Sequence, residues 1–253
     1  MDTSKKHVQL PHNMIKRDGM EPKDLLVYAM LKSHYGPAKL CYPSLECISK
    51  ETGYSINTVR NSIALLESNN YISIIKKGRS NYYEFSPYKT FEPFNHEFLK
   101  SNKLESNEKA YILASQQFMI KDQDGIGKTS FTNQTLSEKL NISTRTISRL
   151  DTSLVKKGFL DIVKTESKDR ITGLTINEKF FHLDELGQTI IWTLQKHEED
   201  IGELKNTTKA NTKDLKIALR DNTSMKKEIA ELKEQIQQLK NGEVQPNKDE
   251  VKI

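Results

Sequence analysis

Apolar positions along the first two thirds of the chain follow helical and then alternating spacings, and the same order occurs twice. Pro22 at a helix start introduces residues 24–32, where Leu25, Leu26, Ala29 and Met30 form an apolar stripe, and Gly36-Pro37 ends the helix. Ser44 can cap a short helix through Lys50 that buries Leu45 and Ile48, and Gly53 supplies the turn after it. Ser55 then caps a third helix running to about Ser68, with Val59, Ile63 and Leu66 facing inward. Asn69-Asn70 favour a turn, after which residues 71–75 read as a strand, 76–81 as a polar loop and 82–85 as a returning strand. In that returning strand, alternation sends one of Tyr82 and Tyr83 inward. The local chemistry therefore predicts three helices followed by a β-hairpin.

Shifting the chain against itself by 88 positions lays residues 44–75 on 132–163 without a gap. Five positions are identical, pairing Ser49 with Ser137, Ser55 with Ser143, Thr58 with Thr146, Leu66 with Leu154 and Ile74 with Ile162. The apolar pattern carries more weight, since Ile48 meets Leu136, Val59 meets Ile147, Tyr71 meets Phe159, Ile72 meets Leu160 and Ile74 meets Ile162. The second copy predicts a first helix opened by Ser106 over 108–118, a second over 133–140 and a third capped by Ser143 and stopped by Gly158. Its hairpin pairs 159–163 with 172–176 around the tip 166–170.

A capped third helix whose first exposed residues are polar suits the major groove of duplex DNA. The outward set is Asn57, Thr58, Arg60 and Asn61 in the first copy and Thr144, Arg145, Thr146, Ser148 and Arg149 in the second. Arginine can pair with guanine and asparagine with adenine, whereas cations and caps such as Ser55, Lys76, Lys77, Arg79, Ser143, Lys168 and Arg170 suit phosphates without reading sequence. The first hairpin tip is purely basic and the second mixes signs, so the first module is expected to attract phosphate more strongly. The net charge of +5 falls wholly within residues 1–187, because residues 188–253 balance 12 basic against 12 acidic side chains.

Residues 10–86 contain Leu10-Pro11-His12-Asn13-Met14-Ile15, Leu26-Val27-Tyr28-Ala29-Met30-Leu31, Tyr42-Pro43-Ser44-Leu45 and Ser55-Ile56-Asn57-Thr58-Val59-Arg60. This stretch resembles the winged helix-turn-helix domains of phage and plasmid replication proteins and related regulators in Gram-positive bacteria and their mobile elements. The resemblance covers about a third of the chain. It implies double-stranded DNA as partner, replication initiation as the role, a bacterial cytoplasmic setting at nucleoid or plasmid, and replication or transcription machinery as further partners. A transcriptional regulator of the same architecture is the alternative, and a protein whose modules bind other proteins is the second class.

From Ile190 a seven-residue repeat runs to Leu239. Leu194, Ile201, Thr208, Leu215, Asn222, Ile229 and Ile236 take the a positions, and Ile190, His197, Leu204, Asn211, Ala218, Met225, Leu232 and Leu239 the d positions. Isoleucine at a with leucine at d favours two parallel strands, and Asn222 at a sets register. In a parallel pair Asp200 meets Lys205, Asp221 meets Lys226 and Glu228 meets Lys233, whereas antiparallel packing brings like charges together. Thr208 and Asn211 predict a weak, frayed centre, and the tail after Gly242 reads as disordered.

The expected fold class is thus mainly α with small β-hairpin wings (α+β): tandem winged helix-turn-helix domains followed by a long C-terminal coiled-coil helix. The expected division is 1–90, first domain; 91–105, linker, although its aromatics argue for packing between the domains; 106–187, second domain; 188–241, oligomerisation helix; 242–253, tail.

Catalysis is not expected. Gly127-Lys128-Thr129 lacks the glycine a phosphate loop needs five residues earlier, where Asp122 stands. Cys41 and Cys47 are not spaced like zinc ligands and the six histidines are scattered, so neither metal nor cofactor is expected. No run of about 18 apolar residues occurs and the first residues lack a signal-peptide core, so the protein is expected to be soluble and intracellular, away from membranes.

Overall fold

A computed structural model describes residues 7–12, 14–15, 19–36, 40–121, 127–183 and 188–240, apart from the side chains of residues 121, 188–199, 239 and 240. Pro37, Asp122 and the tail 242–253, which entered the sequence reading, lie outside the described residues. The chain is mixed α and β and divides into a unit of residues 1–195 and a second of 196–253.

The first repeat begins with β1 (His7–Pro11) and continues with α1 (Pro22–Ser33), α2 (Leu45–Thr52) and α3 (Ile56–Ser68), then β2 (Ile72–Lys77) and β3 (Ser80–Phe85). The polar loop expected at 76–81 contracts to a turn: Lys76 and Lys77 belong to β2, and Lys77 pairs with Ser80 around Gly78-Arg79. Gly78 turns the chain at φ +62°, a conformation without cost only for glycine. Tyr83 is the inward tyrosine, 2% exposed, and its N–H donates to the Cys41 carbonyl at 2.8 Å. Residues 91–105 hold β4 (Phe91–Asn95), paired antiparallel with β1, and α4 (His96–Lys100), which buries Phe98 and Leu99. Of the aromatics of this segment, Phe94 and Phe98 are core, as their apolar character requires, while Phe91 is half-buried.

The second repeat runs through α5 (Ser106–Gln116), β5 (Ile120–Lys121), β6 (Gly127–Phe131), α6 (Asn133–Leu140), α7 (Thr144–Lys156), β7 (Leu160–Lys168) and β8 (Thr175–Phe181). Gly127-Lys128-Thr129 lies in β6, which pairs antiparallel with β8 in a four-stranded sheet ordered β5-β6-β8-β7. The hairpin is longer than the sequence suggested, because β8 starts at Thr175 rather than Thr172 and continues to Phe181. Its tip is tied down by Asp169, whose carboxylate accepts from the backbone of Ile171 and Thr172, each at 2.9 Å. Helix α5 starts at Ser106 with Glu105, not Ser106, as its cap. Glu105 and Glu108 form a reciprocal capping box, matching Glu21 and Asp24 at the start of α1.

Four of the five identities of the repeat have clear structural roles. Ser49 and Ser137 donate to the Tyr54 and Ile142 carbonyls, each at 2.6 Å, and close the turn between the second and third helices. Ser55 and Ser143 cap the third helices by accepting from the Thr58 and Thr146 amides, both at 3.1 Å, and Leu66 and Leu154 are fully buried.

The one-sided stripe expected for α1 is a correction. Every residue from Asp24 to Leu31 is buried, and on α5 every residue from Glu108 to Gln116 is buried. The cause is tertiary: α1 packs more extensively on α5 than on α2 or α3, so each first helix has two covered faces and both repeats share one core.

The described part of the second unit, residues 196–240, lies in α8 (Gln188–Lys240), a 53-residue helix that runs without a break through Thr208 and Asn211. Thr208 bonds the Leu204 carbonyl at 2.8 Å within this stretch.

Candidate nucleic-acid interface

Helices α3 and α7 present the polar residues singled out from the sequence. Asn57, Arg60, Asn61, Thr144, Arg145, Ser148 and Arg149 are exposed, while Val59, Ile63, Leu66, Ile147, Leu150 and Leu154 hold the opposite face in the core. Arg60 donates to the Asn57 side chain at 2.7 Å, so these two outward groups form one preset unit. Thr58 and Thr146 stand apart from the rest of the set. Each is half-buried, and its hydroxyl bonds its own cap, Ser55 or Ser143, at 2.9 Å. Their main task is to fix the first turn of the helix.

The hairpins carry the cations. Lys76, Lys77 and Arg79 are exposed on the first, and Lys168 and Arg170 on the second, Lys168 closing the ladder opposite Thr175. Beside the first hairpin, the start of α2 (Ser44, Leu45, Glu46) and Arg79, Ser80 and Asn81 wall a cleft of about 250 Å³. Tyr42, 58% exposed, lies at its edge with its ring 5.3 Å from that of Tyr82, over which the Lys77 ammonium sits at 4.8 Å. Sequence reasoning missed Tyr42, which sits in a coil before Pro43. An exposed aromatic beside a basic hairpin was the available signal. It also missed Asn133, whose amide donates to Ser148 at 3.3 Å and orients it.

Buried polar groups hold the third helices in place. Asp24 of α1 accepts from Ser62 of α3 at 2.6 Å, and Glu108 of α5 accepts from Ser153 of α7 at 2.5 Å and from Lys157, the C-cap residue of α7, at 2.6 Å. Burial alone would raise the Glu108 pKa, but the bonds from Lys157, Ser153 and the Glu105 backbone outweigh it and leave the carboxyl below its ordinary range. A second network lies beneath α7. Lys179 of β8, 1% exposed, donates to Asp151 at 2.6 Å and to Tyr111 at 3.1 Å, and Tyr111 donates to Asp151 at 2.9 Å. Desolvation pushes Lys179 downward, and Asp151 opposes it.

The scattered histidines and unspaced cysteines yield one grouping that the sequence concealed: His34, Cys47 and Glu51 bring their ligating atoms within 4.8 Å of one another. Burial and the Glu51 charge raise the Cys47 thiol, favouring the protonated form that does not ligate, and His34 already bonds Glu51 at 2.7 Å. His34 and Glu51 serve as a polar tie between the end of α1 and α2.

A family model described as a helix-turn-helix domain matches residues 18–72, from before α1 to the first residue of β2. That match supports DNA as the partner of this segment. Among curated proteins, none matches the chain. No helix of the described residues is long and apolar enough to cross a membrane.

Proposed function

We propose that the chain binds specific double-stranded DNA through tandem winged helix-turn-helix modules, dimerises through its C-terminal helix, and acts in replication initiation on a plasmid or phage genome. The observation that carries the DNA reading is the repeated pairing of a serine-capped helix, polar and exposed at its start, with a hairpin that exposes cations, purely basic at the tip in the first module and mixed in sign in the second. Asn57, Arg60 and Asn61 in one module, and Arg145, Ser148 and Arg149 in the other, read base edges. Lys76, Lys77, Arg79, Lys168 and Arg170 grip phosphates. The cleft beside Arg79 adds the amide end of α2 to that grip. The choice of replication rests on the resemblance of residues 10–86. The protein acts as a binder rather than an enzyme, needs no cofactor and works in the bacterial cytoplasm alongside replication machinery.

The partner for α8 is a second copy. Ile201, Leu204, Leu215, Met225, Ile229, Leu232 and Ile236 are each half or more exposed along one heptad seam, and Asn222 sits in that seam. Leu239 continues the seam, with its side chain outside the described residues. The charge pairs Asp221 with Lys226 and Glu228 with Lys233 favour parallel strands.

Titrating salt against duplex affinity tests the reading. Neutralising about six phosphates gives a log–log slope near −5, and an absence of duplex affinity refutes it. Protection of an iterated origin rather than a promoter supports the replication role.

A further inference from the structure

The two repeats touch each other reciprocally. The turn between α2 and α3 meets the start of α5: Tyr54 donates to Asn107 at 3.1 Å, and a Cβ on Gly53 would stand 2.5 Å from the Ser106 hydroxyl. The corresponding turn between α6 and α7 meets the start of α1, where Asn141 donates to the Met20 carbonyl at 3.2 Å. Gly53 and Asn141 correspond at the repeat distance of 88, and both are left-handed, at φ +72° and +52°. The two first helices pack against each other.

When feature x of one unit contacts feature y of another, and y of the first contacts x of the second, the units are related by a twofold axis. A head-to-tail arrangement satisfies only one of the two contacts. We infer that residues 7–183 form an internal pseudo-dimer whose DNA site is a pair of unlike half-sites in inverted orientation at fixed spacing. This inference rests on the DNA-binding function proposed above and specifies its substrate.

B-form DNA has local twofold axes between its strands, so two modules related by a twofold address a single duplex in opposite orientations. Direct repeats, in contrast, suit modules related by translation. The modules share a core through α1 and α5, so the spacing between their third helices does not adapt. The exposed residues of α3 and α7 differ, Asn57, Arg60 and Asn61 against Arg145, Ser148 and Arg149, so the halves differ in sequence. The target is inverted in direction and unequal in content, and a single chain suffices to bind it.

The test uses the full chain carrying Ile229→Asp and Ile236→Asp, both at exposed positions of α8, with its monomeric state verified by sedimentation. Duplexes selected from a random pool are expected to carry two different half-motifs, inverted and at one spacing. Arg60→Ala is expected to erase the preference in one half, and Arg145→Ala in the other. Inserting five base pairs between the halves, about half a helical turn, is expected to weaken binding at least tenfold. Half-motifs in the same orientation, a tolerated insertion, a single half-motif, or both variants erasing the same half would overturn the pseudo-dyad and leave DNA binding standing. Selection of no duplex at all would overturn both.

Discussion

Replacing Asp151 with leucine takes from Lys179 its only carboxylate among the described residues, while the ammonium stays 1% exposed beneath α7. Its remaining bond is to the neutral Tyr111 hydroxyl at 3.1 Å. Breaking a buried pair by deleting one partner costs about 3–5 kcal/mol, because the surviving charge is neither hydrated nor compensated. For a folded unit of this size each kcal/mol lowers the melting temperature by about 2–4 °C, so Asp151→Leu is expected to lose roughly 10–15 °C. The first repeat supplies an apolar control. Tyr83 sits opposite Ile74 as Lys179 sits opposite Ile162, Ile63 aligns with Asp151, and Val27 aligns with Tyr111 by the two capping boxes. Those three residues are 2%, 4% and 0% exposed and carry no charge, so the fold accepts an apolar trio at these positions. The combined variant Tyr111→Phe, Asp151→Leu and Lys179→Met is therefore expected to regain most of the loss, ending within about 2 kcal/mol of the parent or above it. Calorimetry on the three proteins decides the matter. If the triple variant melts as low as Asp151→Leu, the cost lies in lost shape rather than stranded charge, and the reasoning fails.

The native Glu108 carboxyl titrates below its unfolded value, so its contribution is complete above about pH 4.5 and disappears as pH falls through the native pKa; in Glu108→Gln, urea midpoints should fall less steeply on the acid side. Gly53→Ala forces a side chain into the left-handed region at φ +72° and into the Ser106 hydroxyl, whereas Gly158→Ala, at φ +77° with open space, meets only the backbone penalty of about 1–2 kcal/mol. Gly53→Ala should be the more costly of the two, and Ser106→Ala should remove the difference, as read from chemical unfolding. On duplexes of unrelated sequence, Lys76→Ala with Lys77→Ala should weaken binding uniformly and shrink the salt slope, while Arg60→Ala should act mainly on preferred sites. Equal behaviour of the two kinds of variant would dissolve the division between grip and readout.

Much of the fold was legible because it is local. Ser44, Ser55 and Ser143 cap the helices assigned to them, and α3, α6 and α7 fall within a residue or so of their expected limits. What escaped depends on distant partners. Glutamate is an uncommon cap, so Ser106 drew the assignment that belongs to Glu105, whose box closes only with Glu108 in place. Strand β1 pairs with β4 across some eighty residues, and β6, whose neighbour β5 is only two residues long, finds its long partner in β8 well after α7, so neither long-range pairing was announced by the local sequence. A lysine in a strand reads as exposed, and nothing near Lys179 in the sequence points to Asp151 or Tyr111. At the interface, exposure of the arginines followed from helical spacing, but the closed Ser55–Thr58 and Ser143–Thr146 pairs required geometry.

The mutual covering of α1 and α5 also bears on inheritance. Expressed alone, either half would leave an oily stripe in water and invite precipitation or degradation, so the two must be made and retired together. Yet joining them in one polypeptide frees them from the sameness that identical subunits enforce. On the proposed two-part target, a substitution in one probe alters one side and leaves the other untouched, so such a protein can drift to a new address one half at a time.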